Sequence, residues 1–173
     1  ELAYSVDTIK WQRIDPGQPL IGCSDIEWTY DYGCVYACAG PVFLEDEVRL
    51  YYGGSDWLHF GWRNGCLALA TMRPDGFAGY KPVSENEVGK LTTAPIVYRG
   101  EAIKVTADIE PDGYIEIKIL DNAGAVWAEH RVSSTATDQT VVAESAFELD
   151  ALQIEFTVHS AQLFSFLLVA KMQ

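Results

Sequence analysis

The chain has 173 residues, of which 49% are hydrophobic and 21% are charged, and its formal net charge is -13. This length and composition are those of a globular protein with one large domain or two small ones. The excess of carboxylates argues against nucleic-acid binding, which needs clustered Lys and Arg, and disfavours anionic membrane surfaces. Because no run of about 18 apolar residues occurs, no helical membrane span is predicted.

The first part of the chain is predicted to form a short β-meander. Period-two patterns indicate strands at Val35–Phe43, Glu47–Tyr52 and Cys66–Met72. Pro and Gly punctuate these segments in AGP, GGSD and RPDG. The polar, turn-rich segment GYKPVSENEVGK follows, and we take it as the boundary between two parts, residues 1–80 and 81–173.

The second part has the pattern of an antiparallel β-sandwich. Two alternating runs flank the turn EPDG and predict a hairpin with one buried face, formed by Ile103, Val105, Ala107, Ile115, Ile117 and Ile119. A third run around Phe156 is followed by a predicted turn at HSA and by AQLFSFLLVA, which is apolar on both faces like a central strand. The predicted fold class is therefore all-β, with an antiparallel, jelly-roll-like sandwich preceded by a short propeller-blade-like meander.

The cysteines do not predict a metal site. They are Cys23, Cys34, Cys38 and Cys66, and they include no tight C-x2-C pair of the kind that zinc sites use. Cys34 and Cys38 lie on one predicted strand about 13 Å apart, too far for a disulfide. We predict buried free thiols, and a disulfide between other partners is the alternative.

The segment DIEPDGYIEI has the letters of the first half of an EF-hand loop. The twelfth position of such a loop would be Ile119 instead of the bidentate Glu, and the flanking strands do not fit a helix-loop-helix. A Pro-Asp-Gly turn accounts for the same residues. No cofactor is predicted, with a structural calcium ion at the carboxylates of this turn as the alternative.

The order of several motifs resembles a known family. The opening YSVDTIKWQRI resembles the repeated S-x-D-G-x-x-W-x-R signature of five-bladed β-propeller glycoside hydrolases. The matching positions are Ser5, Asp7, Trp11 and Arg13, and Thr8 replaces the usual Gly. YDYGCVYACAGPVFLEDEVRLYYGGSDWLHFGW resembles the last blade of these proteins, and GCLALATMRPDGFAGY resembles the exit from the propeller. The segments from GKLTTAPIVYRG to FELDALQIEFTVHSAQLFSFLL resemble their C-terminal β-sandwich, so the resemblance covers nearly the whole chain.

The resemblance implies that the catalytic carboxylates lie on earlier blades and that this chain is a fragment of a longer enzyme. We therefore predict a non-catalytic carbohydrate-binding or accessory module of a carbohydrate-active enzyme, extracellular or periplasmic as part of a longer secreted protein. One alternative is a component of a catalytic glycoside hydrolase. The other is an assembly domain without a small ligand, whose strand edges and apolar faces are covered by a homodimer partner or by the missing catalytic propeller.

Aromatic side chains are the leading candidates for a glycan site, because sugars stack their flat apolar faces on Trp and Tyr. The predicted ligand-binding residues are Trp28, Trp57, His59, Trp62, Tyr114 and Trp127. In the sandwich, Tyr114 and Trp127 are predicted to form one binding face together with Phe147. For Trp127 and Phe147 the alternative is burial in the sandwich core, and for His59 it is a packed or surface histidine.

Carboxylates among aromatic residues are the candidates for catalysis. Glycoside hydrolysis needs two carboxyl groups facing each other across the scissile bond. The segment CSDIEWTYDYG offers Asp25, Glu27 and Asp31. The alternative is a solvated loop whose carboxylates face water and cap turns.

Overall fold

The computed structural model describes residues 1–84, 87–144 and 149–170. These residues form strands and no helix, so the prediction of an all-β chain with antiparallel sheets is confirmed. No helical segment able to cross a membrane occurs in this described part of the chain. The strands are β1 (Leu2–Tyr4), β2 (Gln12–Ile14), β3 (Cys34–Ala37), β4 (Val42–Phe43), β5 (Val48–Ser55), β6 (Gly65–Met72), β7 (Val88–Thr92), β8 (Ile96–Tyr98), β9 (Ala102–Leu120), β10 (Val126–Val132), β11 (Ala136–Val142) and β12 (Leu149–Val169).

The chain divides into two compact units, Glu1–Phe77 and Ala78–Gln173, which we call unit 1 and unit 2. The boundary that we predicted from sequence, between residues 80 and 81, lies just beyond this division. Each unit has its own sheets, and β6 ends before the division while β7 begins after it. The predicted aromatic residue Phe147 lies outside the described residues.

Unit 1 is built on an antiparallel meander. Strands β3 and β4 pair in turn with the two ends of β5, and β6 pairs with the opposite edge of β5 along its whole length. A predicted strand at Val35–Phe43 is thus interrupted between β3 and β4, where Pro41 cannot donate a ladder hydrogen bond. The turn between β4 and β5 is closed by the amide of Leu44, which donates to the carbonyl of Glu47 at 2.9 Å.

A separate two-stranded sheet, β1 and β2, carries the opening motif of unit 1. The carboxylate of Asp7 accepts hydrogen bonds from the amides of Ile9 and Lys10, at 2.9 and 2.8 Å, and from the hydroxyl of Ser5 at 3.0 Å. These hydrogen bonds lower the pKa of Asp7, and the bond from the amide of Lys10 has the largest effect. Thr8 has a φ of 59°, which is a strained conformation for a β-branched residue.

Unit 2 is dominated by two very long strands, β9 and β12, that pair with each other along nearly their whole length. The predicted hairpin around EPDG is wrong, because its two runs are consecutive halves of β9 and each half pairs with β12 instead. The predicted turn at HSA is wrong for the same reason, since these residues lie inside β12. Strand β10 extends one half of this ribbon and β11 the other, while β7 and β8 pair with β12.

The turn residues of these two segments bend the ribbon instead of reversing the chain. Asp112 in β9 has a φ of 64° and Ser160 in β12 has a φ of 43°. Between them the backbones touch, since a Cβ added at Gly113 would overlap the carbonyl oxygen of Ser160. A glycine is needed here because only a residue without a side chain lets the two strands approach so closely.

The bend folds the ribbon into two packed layers. The rings of Phe156 and Phe166 have centroids 5.8 Å apart although ten residues of one strand separate them, which is about 33 Å of extended chain. The core is therefore enclosed between the two halves of the same ribbon. Its fully buried members include Ile103, Val105, Ile115, Ile117, Ile119, Leu152, Ile154, Phe156 and Val158. This arrangement is compatible with the predicted β-sandwich, and the finer jelly-roll-like description stays a prediction.

Unit 1 buries far less apolar surface than unit 2. Among the described residues, Val48 and Tyr52 are its buried hydrophobic side chains, while the other buried hydrophobic residues all belong to unit 2. The four cysteines of unit 1 are free thiols. Cys23 and Cys38 are exposed and Cys34 and Cys66 half-buried, so the prediction of free thiols is confirmed and that of their burial is wrong.

Candidate functional site

Two loops of unit 1 meet and bring predicted aromatic residues together. Trp28 lies in the loop between β2 and β3, and Trp57 lies in the loop between β5 and β6. Their indole rings are stacked, with centroids 4.4 Å apart and planes inclined by 13°. Tyr32 adds a third ring, tilted, at 5.8 Å from Trp57. We call Trp28, Tyr32 and Trp57 the aromatic platform.

Glycine and serine residues at the ends of β3 and β5 hold the two loops in contact. A Cβ added at Gly33 would overlap the carbonyl group of Trp57, so the loops can meet only because this residue has no side chain. The amide of Gly33 donates to the carbonyl of Ser55 at 2.8 Å. The hydroxyl of Ser55 in turn donates to the carbonyl of Trp57 at 2.8 Å. The backbone under the platform is therefore fixed by short-range contacts.

Trp28 combines exposure with an unfavourable backbone conformation. Its side chain is 65% exposed, and its φ of 68° lies in the left-handed region. A bulky residue at positive φ is a genuine outlier, and such strain is concentrated at functional sites. An exposed, stacked indole held in this way presents a flat apolar surface to solvent.

His59 lies in the same loop as Trp57 and contacts a residue that the sequence did not single out. The hydroxyl of Tyr36 and Nδ1 of His59 are 2.7 Å apart, and their rings are 6.2 Å apart. The guanidinium of Arg63 donates to the carbonyl of His59 at 2.7 Å. Tyr36 also contacts Cys34, and the pKa of this thiol is lowered by two side-chain hydrogen bonds, of which the one with Ser55 has the larger effect and the one with Tyr36 the smaller. Trp62, also in this loop, is 87% exposed.

The three carboxylates proposed for catalysis share the loop of Trp28. The side chain of Asp31 accepts a hydrogen bond from the hydroxyl of Tyr52 at 3.2 Å. The hydroxyl of Tyr52 also lies 3.4 Å from that of Tyr30. The contact with Tyr30, burial and the contact with Asp31 together raise the pKa of Tyr52. Asp25 and Glu27 are exposed to solvent. Asp31 thus has a structural partner, and the structure gives Asp25 and Glu27 the solvated setting of the alternative interpretation.

The two predicted aromatic residues of unit 2 lie in different environments. Trp127 is half-buried, packs against the core and has its ring 5.7 Å from that of Tyr98. Tyr114 stacks on His159 with centroids 5.2 Å apart, and the guanidinium of Arg131 lies 3.8 Å from the centre of its ring. The structure therefore does not bring Tyr114 and Trp127 together into one binding face.

A groove of about 640 Å³ lies at the bend of the ribbon in unit 2. Its polar lining includes Lys81, Asp108, Glu110 and Gln162, and no aromatic residue of the described chain lines it. Stacking of a sugar ring is therefore not available in this groove. No group of three or more His, Cys, Asp or Glu among the described residues is placed to hold a metal ion.

The sequence had no means of finding several residues that build the platform. Gly33 acts by leaving room for the carbonyl group of Trp57, and Ser55 acts through its carbonyl oxygen and its hydroxyl, which bond Gly33 and Trp57. Beside the platform, Tyr36 of β3 contacts His59 in the loop after β5. Tyr32 lies in the segment YDYG, and its distance along the sequence from Trp57 gives no indication that the two rings are in contact. Comparison with protein-family models, with curated proteins and with solved structures found no match to this chain.

Proposed function

We propose that this chain is a non-catalytic, carbohydrate-binding accessory part of a carbohydrate-active enzyme, and that the aromatic platform of unit 1 is its glycan site. The observation that carries the proposal is the stacked pair of Trp28 and Trp57. Trp28 is largely exposed, and its backbone has a positive φ. Stacking on such a surface is the main way in which proteins bind the apolar face of a sugar. The resemblance of the sequence to propeller glycoside hydrolases also favours a carbohydrate ligand.

Polar groups suited to sugar hydroxyls accompany the platform. The loop of Trp28 carries the exposed carboxylates of Asp25 and Glu27, and the loop of Trp57 carries His59 with its Tyr36 partner. Carboxylates and imidazole accept hydrogen bonds from hydroxyl groups. With a net charge of -13, the chain repels anionic glycans at long range. The proposed ligand is therefore a neutral oligosaccharide.

The proposal can be tested by titrating the chain with a panel of neutral oligosaccharides while tryptophan fluorescence is recorded. We expect a saturable change for at least one glycan, and Trp28→Ala should weaken binding about fivefold, because a stacking contact contributes about 1 kcal/mol. Trp11→Ala is the matched control, since Trp11 is 64% exposed but lies outside the platform. It should bind like the wild type.

Two further readouts separate the possible outcomes. The far-ultraviolet circular dichroism of stacked indoles contains an exciton couplet, which Trp28→Ala should remove and Trp11→Ala should keep. A couplet without any glycan response would verify the platform and refute its proposed role. Release of reducing ends by the wild-type chain, lost on Asp25→Asn or Glu27→Gln, would favour the catalytic alternative.

A further inference from the structure

A half-buried thiol, that of Cys34, lies at the start of β3. Cys34 pairs directly with Ser55 at the end of β5, and directly paired residues project to the same side of a sheet. Tyr36 projects to this side as well, because side chains two residues apart on a strand share a face. The thiol contacts the side chains of both Ser55 and Tyr36. The strand pairing therefore places a sulfur nucleophile beside two hydroxyl groups.

Tyr36 connects this thiol to a base. Its hydroxyl lies 2.7 Å from Nδ1 of His59, which is the length of a short hydrogen bond. A neutral imidazole accepts a hydrogen bond at the nitrogen that carries no proton, and a tyrosine hydroxyl both donates and accepts. The hydroxyl of Tyr36 can therefore accept from the thiol of Cys34 while it donates to His59. We call the side chains of Cys34, Tyr36 and His59 the proton relay.

Backbone contacts hold the proton relay in place. Its two strand residues are fixed by the ladder between β3 and β5. The guanidinium of Arg63 donates to the carbonyl of His59 at 2.7 Å and fixes the loop that carries the imidazole. The hydroxyl of Ser55, which is a buried residue, donates to the carbonyl of Trp57 at the start of the same loop. The separation of the thiol from the base is therefore set by the fold of unit 1.

The surroundings of Cys34 favour its ionised form. The hydrogen bond with Ser55, then that with Tyr36, and the positive charge of Arg63 lower the pKa of Cys34, although burial acts in the opposite direction. The hydrogen bond with Cys34 in turn raises the pKa of Tyr36, so this hydroxyl keeps its proton at neutral pH. Proteins activate cysteines in such settings, where a partly exposed thiol lies near a cationic side chain.

We propose that Cys34 is a nucleophilic thiol that exchanges with small disulfides and forms a mixed disulfide with one half of them. The sulfur of Cys34 attacks one sulfur of the disulfide, a new S–S bond forms and the original S–S bond breaks. The proton of Cys34 passes through Tyr36 to His59, and the departing thiolate takes it up. The products are a mixed disulfide at Cys34 and one small thiol, so atoms and electrons balance. Exchange at Cys34 requires no ligand on the aromatic platform.

The other thiols of unit 1 provide internal controls. Cys66 is half-buried like Cys34, but its thiol donates to the backbone carbonyl of Tyr30 at 3.3 Å, and a carbonyl group does not act as a base. Cys23 and Cys38 are exposed, so a reagent reaches them more easily. Accessibility alone predicts that these two react first, whereas the proton relay predicts that Cys34 does. The order of reaction therefore identifies the cause.

Hydroxyethyl disulfide is a suitable probe, because it is neutral and the net charge of -13 does not repel it. The fully reduced chain is mixed with this disulfide at neutral pH, and samples are quenched over time with N-ethylmaleimide. Mass spectrometry of chymotryptic peptides locates the mixed disulfide, since cleavage after Tyr32 and Tyr36 separates Cys34 from the other thiols. Cys34 should react at least about threefold faster than each of the others, because its larger thiolate fraction outweighs its lower intrinsic nucleophilicity.

Two variants break the proton relay at different points. Tyr36→Phe removes the connecting hydroxyl, and His59→Gln keeps a hydrogen-bond acceptor that cannot take up the proton. Each should slow the reaction of Cys34 at least about threefold, and Tyr36→Phe should also shift its pH profile towards higher pH. Tyr51→Phe is the matched control, because it removes a hydroxyl from the same face of the sheet outside the relay. It should leave the rate at Cys34 unchanged.

The rate at Cys66 reports on folding in the same samples. Because Cys66 is half-buried, an unchanged rate there shows that unit 1 stays folded in each variant. A wild type in which Cys34 reacts no faster than Cys66 would overturn the proposal. So would a wild-type rate at Cys34 in either Tyr36→Phe or His59→Gln.

Discussion

The close approach of β9 and β12 at Gly113 makes a strong prediction about stability. In Gly113→Ala the new Cβ would lie well inside 3.0 Å of the carbonyl oxygen of Ser160, and it would also lie 3.0 Å from that of Glu110. Both obstacles are backbone atoms, so no side-chain rotation relieves the overlap. Overpacking of this kind costs about 3 kcal/mol when the neighbours cannot move.

The expected result is a large fall in the melting temperature of unit 2. For a unit of this size, 1 kcal/mol corresponds to about 4–8 °C, so Gly113→Ala should lower the transition by about 12–24 °C. Thermal unfolding followed by circular dichroism measures this change, and hydrogen exchange of β9 and β12 amides assigns it to unit 2. Gly89→Ala is the control, because its Cβ would meet Pro82 at an ordinary 3.6 Å.

The same experiment distinguishes the bent ribbon from the hairpin that the sequence suggested. In a Pro-Asp-Gly hairpin turn, Gly113 would face solvent and its replacement by Ala would cost about 1 kcal/mol at a positive φ. A Gly113→Ala variant destabilised by about 1 kcal/mol or less would refute the described contact.

Two predictions concern unit 1, which holds four of the five tryptophans and can be followed by their fluorescence. Because the pKa of Tyr52 is raised, the contribution of its neutral hydroxyl is fully present below the ordinary tyrosine pKa of about 10 and is lost as pH rises above it. Tyr52→Phe should therefore destabilise unit 1 by about 1 kcal/mol at neutral pH and flatten its loss of stability above about pH 10, and equal slopes in the two proteins would contradict the assignment. Thr8→Gly should raise the free energy of unfolding by about 1 kcal/mol, since it relieves a positive φ, whereas Val6→Gly, two residues earlier and without a positive φ, should bring no gain.

The sequence predicted the all-β class and most strand positions because alternation reports directly which side chains are buried. Ile115, Ile117 and Ile119 alternate with polar residues, and they are buried as expected. Alternation does not reveal which strand pairs with which. EPDG and HSA have the residues of hairpin turns, and whether a positive φ at Asp112 reverses or only bends the chain depends on the partner strand. The predicted hairpin therefore failed although its buried positions were right.

The candidate site was predicted only in part for a related reason. The tryptophans of the two loops could be recognised by residue type, and two of them, the exposed Trp28 and the half-buried Trp57, do meet. Their contact depends on Gly33 passing under a carbonyl group, which leaves no signal in residue type or spacing. Tyr114 and Trp127 appeared equivalent in sequence, yet a register shift between Val126 and Ala128 accompanies the packing of Trp127 towards the core.

The long ribbon of unit 2 also determines how this unit can fold. Ala102 pairs with Val169, so the first residues of β9 find their partners only among the last residues of β12. Contacts between residues so distant in sequence require a large loss of chain entropy before any favourable contact forms, and they slow folding. The half of the ribbon around Ile119 and Ile154 closes a much shorter loop. Folding of unit 2 is therefore expected to begin at that half and to proceed past the bend at Gly113, with the layer containing Phe166 forming last.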